Sequence, residues 1–302
     1  MRRVRVTTLL LALLCLLSGG CATLTGTRSS EPEAPDPGTA IALSVLSESI
    51  YLVDPATGHE AEVVGGLLDF RSGYATWATG HRRLVYANHA IYVLDFDRVT
   101  QRPEVQGRDL SMPAWSPEAD EIVYGDGISI WRTSLSSGRT ARIRIPQTLA
   151  PLDMDWGKNR LIALEGLVRQ CHGSSGCSST HRSEIWVVDP NGRLLRQVSH
   201  AGHAENPKWS PDGSRILFIR RPQATSTRRE LWVVNADGSG ERKLGSVGNV
   251  VAADWSPDGF RIATVTASVT AGTLQLWIGD LDGSDARAVG GPIRGTEATL
   301  DW

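Results

Sequence analysis

The chain has 302 residues, a formal net charge of −2 and acids and bases mixed along its length. It carries no basic stripe, which argues against nucleic acid as a partner. Ten tryptophans stand against four phenylalanines, a skew that points to a recurring structural position.

Residues 1–20 read as a secretory signal. Arg2, Arg3 and Arg5 precede the apolar run Leu9–Leu17, which falls well short of the ~20 residues of a membrane-spanning helix. Ser18, Gly19 and Gly20 then lead to Cys21. The Gly-Gly-Cys ending resembles the lipobox of bacterial lipoproteins, with Ser18 where a leucine is usual and Leu17 one place further back. The resemblance implies a lipidated Cys21 as the mature N-terminus. The protein would then sit in a bacterial cell envelope, on its periplasmic or extracellular face, touching the membrane through the lipid anchor only. Loss of the signal's three arginines makes the mature chain more acidic by three charges. Residues 21–38 (CATLTGTRSSEPEAPDPG) offer almost nothing to bury and read as a disordered tether, spanning on the order of 20–25 Å as a coil.

Residues 39–302 are built from a repeat. Trp77, Trp115, Trp156, Trp209, Trp255 and Trp302 form one class; the first five each precede a turn and a short apolar strand such as RRLVYA, DEIVYG or SRILFIR. A second aromatic follows in the next strand, at Tyr92, Trp131, Trp186, Trp232 and Trp277. From that residue to the next Trp of the first class is 25, 23, 23 and 25 residues for the last four units. Each unit supplies four short strands, which reads as a propeller blade. The C-terminal TLDW provides only an innermost strand. The N-terminal segments TAIALSV and SIYLVDPATGHEAEVVG, with Tyr51 at the aromatic position, provide the missing three. The expectation is an all-β, six-bladed β-propeller, closed by pairing the C-terminal inner strand with three N-terminal strands. In the pentapeptide WSPDG, at Trp209–Gly213 and Trp255–Gly259, Pro and Gly preset a tight turn, Asp212 and Asp258 stabilise it, and Trp anchors neighbouring sheets.

WSPDG followed by segments such as WVVNADGSG resembles the WD40-like repeats of TolB-type propellers, over about residues 39–302. The resemblance implies a six-bladed propeller. The α/β domain that precedes the TolB propeller has no counterpart here, and no G-x-S-x-G nucleophile elbow of the related peptidases is present.

Function is sought on the face where the loops between second and third strands meet the links into the next blade. Once Cys15 leaves with the signal and Cys21 is lipidated, Cys171 and Cys177 remain as an even pair, which predicts a disulfide in an oxidising compartment. The alternative joins them to His172 and His181 as a zinc site of non-standard spacing. The link SHAGHAENPKW brings His200, His203 and Glu205 together, suited to acid–base or metal chemistry and equally to an ordinary solvated loop. Arg71, Arg108, Asp109 and Arg294 complete the candidate binding face. No catalytic residue, metal or cofactor is assigned. The reading is a monomeric scaffold for an envelope protein or a polar ligand. The alternatives are a metal-dependent enzyme acting on carbohydrate, using the His200/His203 face as oligogalacturonate lyases use histidines on theirs, and a small-ligand sensor in the tunnel.

Overall fold

Strand formation follows the apolar runs between turn signals. In the computed structural model the described residues are 34–67, 73–171, 177–200, 202–223, 226–245 and 248–302, with backbone alone at 108. Among them every regular element is a strand. The chain opens with β1 (Ile41–Val45), β2 (Ser49–Val53) and β3 (Glu60–Gly65). One six-stranded sheet follows: β4 (Gly73–Trp77), β5 (Arg83–Asp95), β6 (Thr100–Trp115), β7 (Glu121–Gly125), β8 (Ile130–Ser134) and β9 (Thr140–Ile143). Three four-stranded sheets come next. They are β10 (Leu149–Trp156), β11 (Ile162–Cys171), β12 (Cys177–Val188) and β13 (Leu194–Gln197); then β14 (Ala204–Trp209), β15 (Arg215–Arg220), β16 (Glu230–Asn235) and β17 (Arg242–Lys243); then β18 (Val250–Trp255), β19 (Arg261–Ser268), β20 (Thr273–Asp280) and β21 (Arg287–Arg294). The last strand, β22 (Ala298–Asp301), returns to the start and pairs antiparallel with β1, from Ala42↔Asp301 to Val45↔Ala298. The sheet order β22-β1-β2-β3 is the expected closure, and it gives β1 a partner on each side.

The arrangement is a β-propeller, but its strands do not divide into the six separate four-stranded sheets expected. Four sheets stand apart as four-stranded blades, and the remaining strands are continuous in the six-stranded sheet. The reason is local. β5 and β6 run on for 13 and 16 residues, each turning at single positive-φ residues (His89, Asp109, Met112) without leaving the sheet. β22, β4, β6, β10, β14 and β18 each pack against the next, and β18 returns to β22, so these strands surround an axis.

Apolar clusters fill the spaces between successive sheets. Ile41 and Leu43 of β1 meet Val265 and Leu276 of the last sheet; Ile185 and Val187 meet Ile216 and Phe218. Within the six-stranded sheet, Val85, Ile91 and Val93 of β5 face Trp115, Ile122 and Tyr124 across a cluster of their own. β-branched and aromatic residues dominate these strands, as suits a pleated surface buried on both sides.

The repeated pentapeptide works as expected from its chemistry. Gly213 and Gly259 take positive φ of 69° and 75°, and their N–H groups donate to Ser210 and Ser256 carbonyls at 2.8 Å. Asp212 accepts from the Ser214 N–H at 3.0 Å and from the Ser210 hydroxyl, which holds its pKa down at about 2. In the third copy, WSPEA, Ala119 carries the strained φ of 55° in place of glycine. The indole N–H of Trp115 donates to the Thr76 carbonyl and that of Trp255 to the Lys208 carbonyl, each reaching the preceding inner strand. Arg83, Arg215 and Arg261, at the start of second strands, lie 4.9, 4.8 and 5.6 Å over Trp115, Trp255 and Trp302 at the ends of the following inner strands.

Candidate functional site

The residues just before the inner-strand tryptophans share one register position, and four of them, Asp155, Lys208, Asp254 and Asp301, interact across the ring. In spatial order these positions are Asp301, Thr76, Ala114, Asp155, Lys208 and Asp254. Three of the aspartates clasp the next strand's backbone. Asp301 Oδ2 accepts the Trp77 N–H at 2.7 Å, Asp155 Oδ2 that of Trp209 at 2.7 Å, and Asp254 Oδ2 that of Trp302 at 2.9 Å. Lys208 Nζ donates to Asp301 Oδ1 at 2.7 Å, with both side chains mostly buried. Burial opposes the Lys208 ammonium, but Asp301, Asp254 and Asp155 outweigh it and hold the charge, raising its pKa. Burial pushes the carboxyls of Asp155 and Asp254 up, against the pull of Lys208.

A second layer lies at the other end of the inner strands, beside the links from the preceding sheets. Glu205 Oε1 approaches Arg221 Nε at 2.6 Å, an ion pair in which that N–H is not aligned as a hydrogen bond. Its other oxygen lies 3.6 Å from Arg229 Nε, and Arg229 grips Glu297 through two bonds of 2.9 Å. Glu165, 5% exposed, accepts the Asn206 N–H at 3.1 Å. Burial, then Glu205 and Asp153, drive its pKa well above the carboxylate range. Asp153 lies on a cavity wall, so part of its surface is open although protein encloses it; burial pushes its pKa up to about 7. That cavity, between Tyr74, Asp153, Lys208 and Thr299, measures about 20 Å³. It suits a single water and is far too small for an organic ligand.

The expected face residues are only partly gathered. Cys171 and Cys177 form a disulfide, so their sulfurs cannot serve as zinc thiolates. The disulfide closes the β11–β12 hairpin, and Cys171 Sγ lies 3.8 Å from the Gln147 carbonyl in the β9–β10 link. The base of the same hairpin meets the His200 loop: Glu184, 3% exposed, accepts the Ser199 hydroxyl at 2.7 Å and the Gly202 N–H at 2.8 Å. His200 is exposed. His203 has a φ of 57°, and its carbonyl accepts the Arg221 N–H. Glu205 is turned into the arginine network instead of standing beside these histidines in solvent. Asp109 and Arg294 are exposed, Arg294 at the end of β21, while Glu297 pairs with Arg229. Arg108 is described in its backbone alone. Cys21, Arg71 and His172 lie outside the described residues, as do the signal and most of the tether. Among the described residues no group of three or more His, Cys, Asp or Glu is placed to hold a metal ion.

With this geometry in hand, solved structures show the same architecture. A TolB protein from Agrobacterium tumefaciens superposes with a TM-score of 0.58 at 14% identity, over 85% of this chain and 91% of that one. The fold is a TolB-type propeller. An oligogalacturonate lyase in complex with manganese gives a TM-score of 0.50 at 11% identity over 80% and 70% of the two chains. Another, from Vibrio parahaemolyticus, gives 0.51 at 10% over 82% and 79%. No family model matches the chain, and no curated protein matches it. At such identities the likeness concerns the fold alone.

On this TolB-type fold, the axial cluster is what reading the sequence for loops overlooked. A signal was present: Asp-Trp recurs at Asp155–Trp156, Asp254–Trp255 and Asp301–Trp302, with Lys208–Trp209 in register. Glu165, Arg221 and Arg229 carry no such signal, since only the packing of separate strands gathers them.

Proposed function

We propose that the protein is an envelope-anchored lipoprotein whose β-propeller serves as a protein-binding or scaffolding module. The observation that carries this reading is the Cys171–Cys177 disulfide on a hairpin. It supports an oxidising compartment, which agrees with the secretory reading of residues 1–20, and it would brace a binding loop before any partner arrives. We further propose that the propeller is six-bladed. Two features support that count: six inner strands pack in a ring, and the two halves of the six-stranded sheet face each other across an apolar cluster as separate sheets do. The candidate face is the one expected from the sequence, Arg71, Arg108, Asp109, His172, His200, His203, Glu205 and Arg294, of which His200, Asp109 and Arg294 are exposed.

The test has two arms. Cys21→Ser should move the protein from the membrane fraction to the soluble one; retention in high salt would rule out the lipid anchor. The purified propeller should capture a saturable partner from envelope extract, with capture weakened by Cys171→Ser/Cys177→Ser. If no saturable partner is captured, the binding-module reading fails.

A further inference from the structure

We propose that the groove between the six-stranded sheet and the β10–β13 sheet binds a peptide segment of a protein partner, one carrying an aliphatic side chain next to a carboxylate. The inference rests on the protein-binding reading above and names the chemistry of what is bound.

Three pieces of chain build the groove. Ile128 stands at the tip of the β7–β8 hairpin, Ile145 lies in the link from β9 to β10, and Leu149 begins β10. Arg169 and Cys177 come from the disulfide-closed hairpin, and Arg142 from β9. The volume is about 270 Å³. That lies just under the ~300 Å³ at which small-molecule pockets begin, and it has room for a side chain or two. Leu149 is buried while Ile128 is 73% exposed, so an apolar floor rises to an apolar lip open to solvent. An isoleucine so exposed at a hairpin tip contributes nothing to the fold's own core.

Charge selects the occupant. Two arginines line this groove, and none of its lining residues is acidic. Neither Arg142 nor Arg169 has an ion-pair partner among the described residues. The neighbouring Asp126 is already engaged: its oxygens accept the N–H groups of Ile128 at 2.9 Å, Ser129 at 2.7 Å and the Trp131 indole at 2.7 Å. Two guanidinium groups without a direct ion-pair partner, Arg142 held only in the field of Asp126, lie above an apolar floor and complement a carboxylate adjoining an aliphatic side chain. A bare anion would leave the floor unused. The Arg169 N–H donates to the Thr148 carbonyl at 2.8 Å, which holds the hairpin wall against the β9–β10 link while the disulfide closes the hairpin itself, so the groove exists before binding and less ordering entropy is lost.

The probe is a random heptapeptide phage library, panned on the full chain carrying Cys21→Ser. Selected peptides should share an aliphatic residue adjoining Asp, Glu or the C-terminal carboxylate. Arg142→Glu and Arg169→Glu should each weaken their binding by about tenfold, with unchanged melting. Ile128→Asp should weaken it too, rising salt should weaken wild-type binding, and Arg294→Glu should not matter. The proposal is overturned if no peptide is enriched, if enriched peptides lack an acid, or if the double arginine variant binds them as wild type does. It is also overturned if inorganic phosphate competes while Ile128→Asp has no effect, which would mean an anion site only. An envelope partner that still binds the double variant would overturn the groove and leave the binding-module reading standing. Absence of any envelope partner alongside selective peptide binding would do the reverse.

Discussion

Replacing Asp301 by alanine removes two buried interactions with one change. Its Oδ2 accepts the Trp77 N–H at 2.7 Å and its Oδ1 accepts Lys208 Nζ at 2.7 Å, joining the C-terminal inner strand to two others across the ring. Truncation leaves the Trp77 amide without its acceptor, which costs about 1–3 kcal/mol for a buried donor. It also takes the direct partner from an ammonium whose side chain is 12% exposed. Breaking a buried ion pair typically costs about 3–5 kcal/mol. Asp155 and Asp254 remain near Lys208 and soften that loss, so the sum should sit at its lower end, about 4 kcal/mol. In a domain of this size such a loss lowers Tm by on the order of 10 °C. Urea unfolding followed by tryptophan fluorescence reads it directly, with Asp258→Ala as a control in an exposed turn, expected to cost only about 1 kcal/mol. If Asp301→Ala is no worse than the control, with unchanged m-value, the axial cluster does not hold the ring together.

Asp153 has its pKa raised from 3.8 to about 7, so between those values the folded state keeps a proton that the unfolded state releases. Stability should therefore fall as pH rises from about 4 to about 7, and Asp153→Asn should flatten the profile of urea midpoint against pH; an unaltered slope would remove this assignment. Cys171→Ser/Cys177→Ser opens a loop of sequence separation 6, worth roughly 2 kcal/mol at most on chain-entropy grounds. Melting should drop modestly with the circular dichroism spectrum intact; loss of the fold would show the hairpin to be more than a local brace. Deleting Thr299–Trp302 removes most of β22 and bares the backbone of β1, so cooperative melting should be lost or fall steeply, and an unchanged transition would contradict the closure.

Much of the architecture was legible because the repeat states it locally. Tryptophan spacing, the Pro-Asp-Gly turns and a lone terminal inner strand are covalent neighbours whose chemistry acts over a few residues. They determine strand formation, turn type and the pairing of β22 with β1. The Cys171–Cys177 disulfide was legible for a similar reason, two cysteines a short loop apart. Tertiary structure alone decided the rest. Whether β5 and β6 break into separate strands or run on through one sheet depends on how their turns sit against neighbouring sheets. Glu205 looked like a loop residue beside two histidines, yet packing turns it toward Arg221 and Arg229, on either side of the β15–β16 connection. Lys208, Asp155, Asp254 and Asp301 lie far apart in sequence and meet only because a closed ring brings each inner strand to the axis. There, burial makes every uncompensated charge costly, and so charges that seem ordinary in the chain hold one another in place.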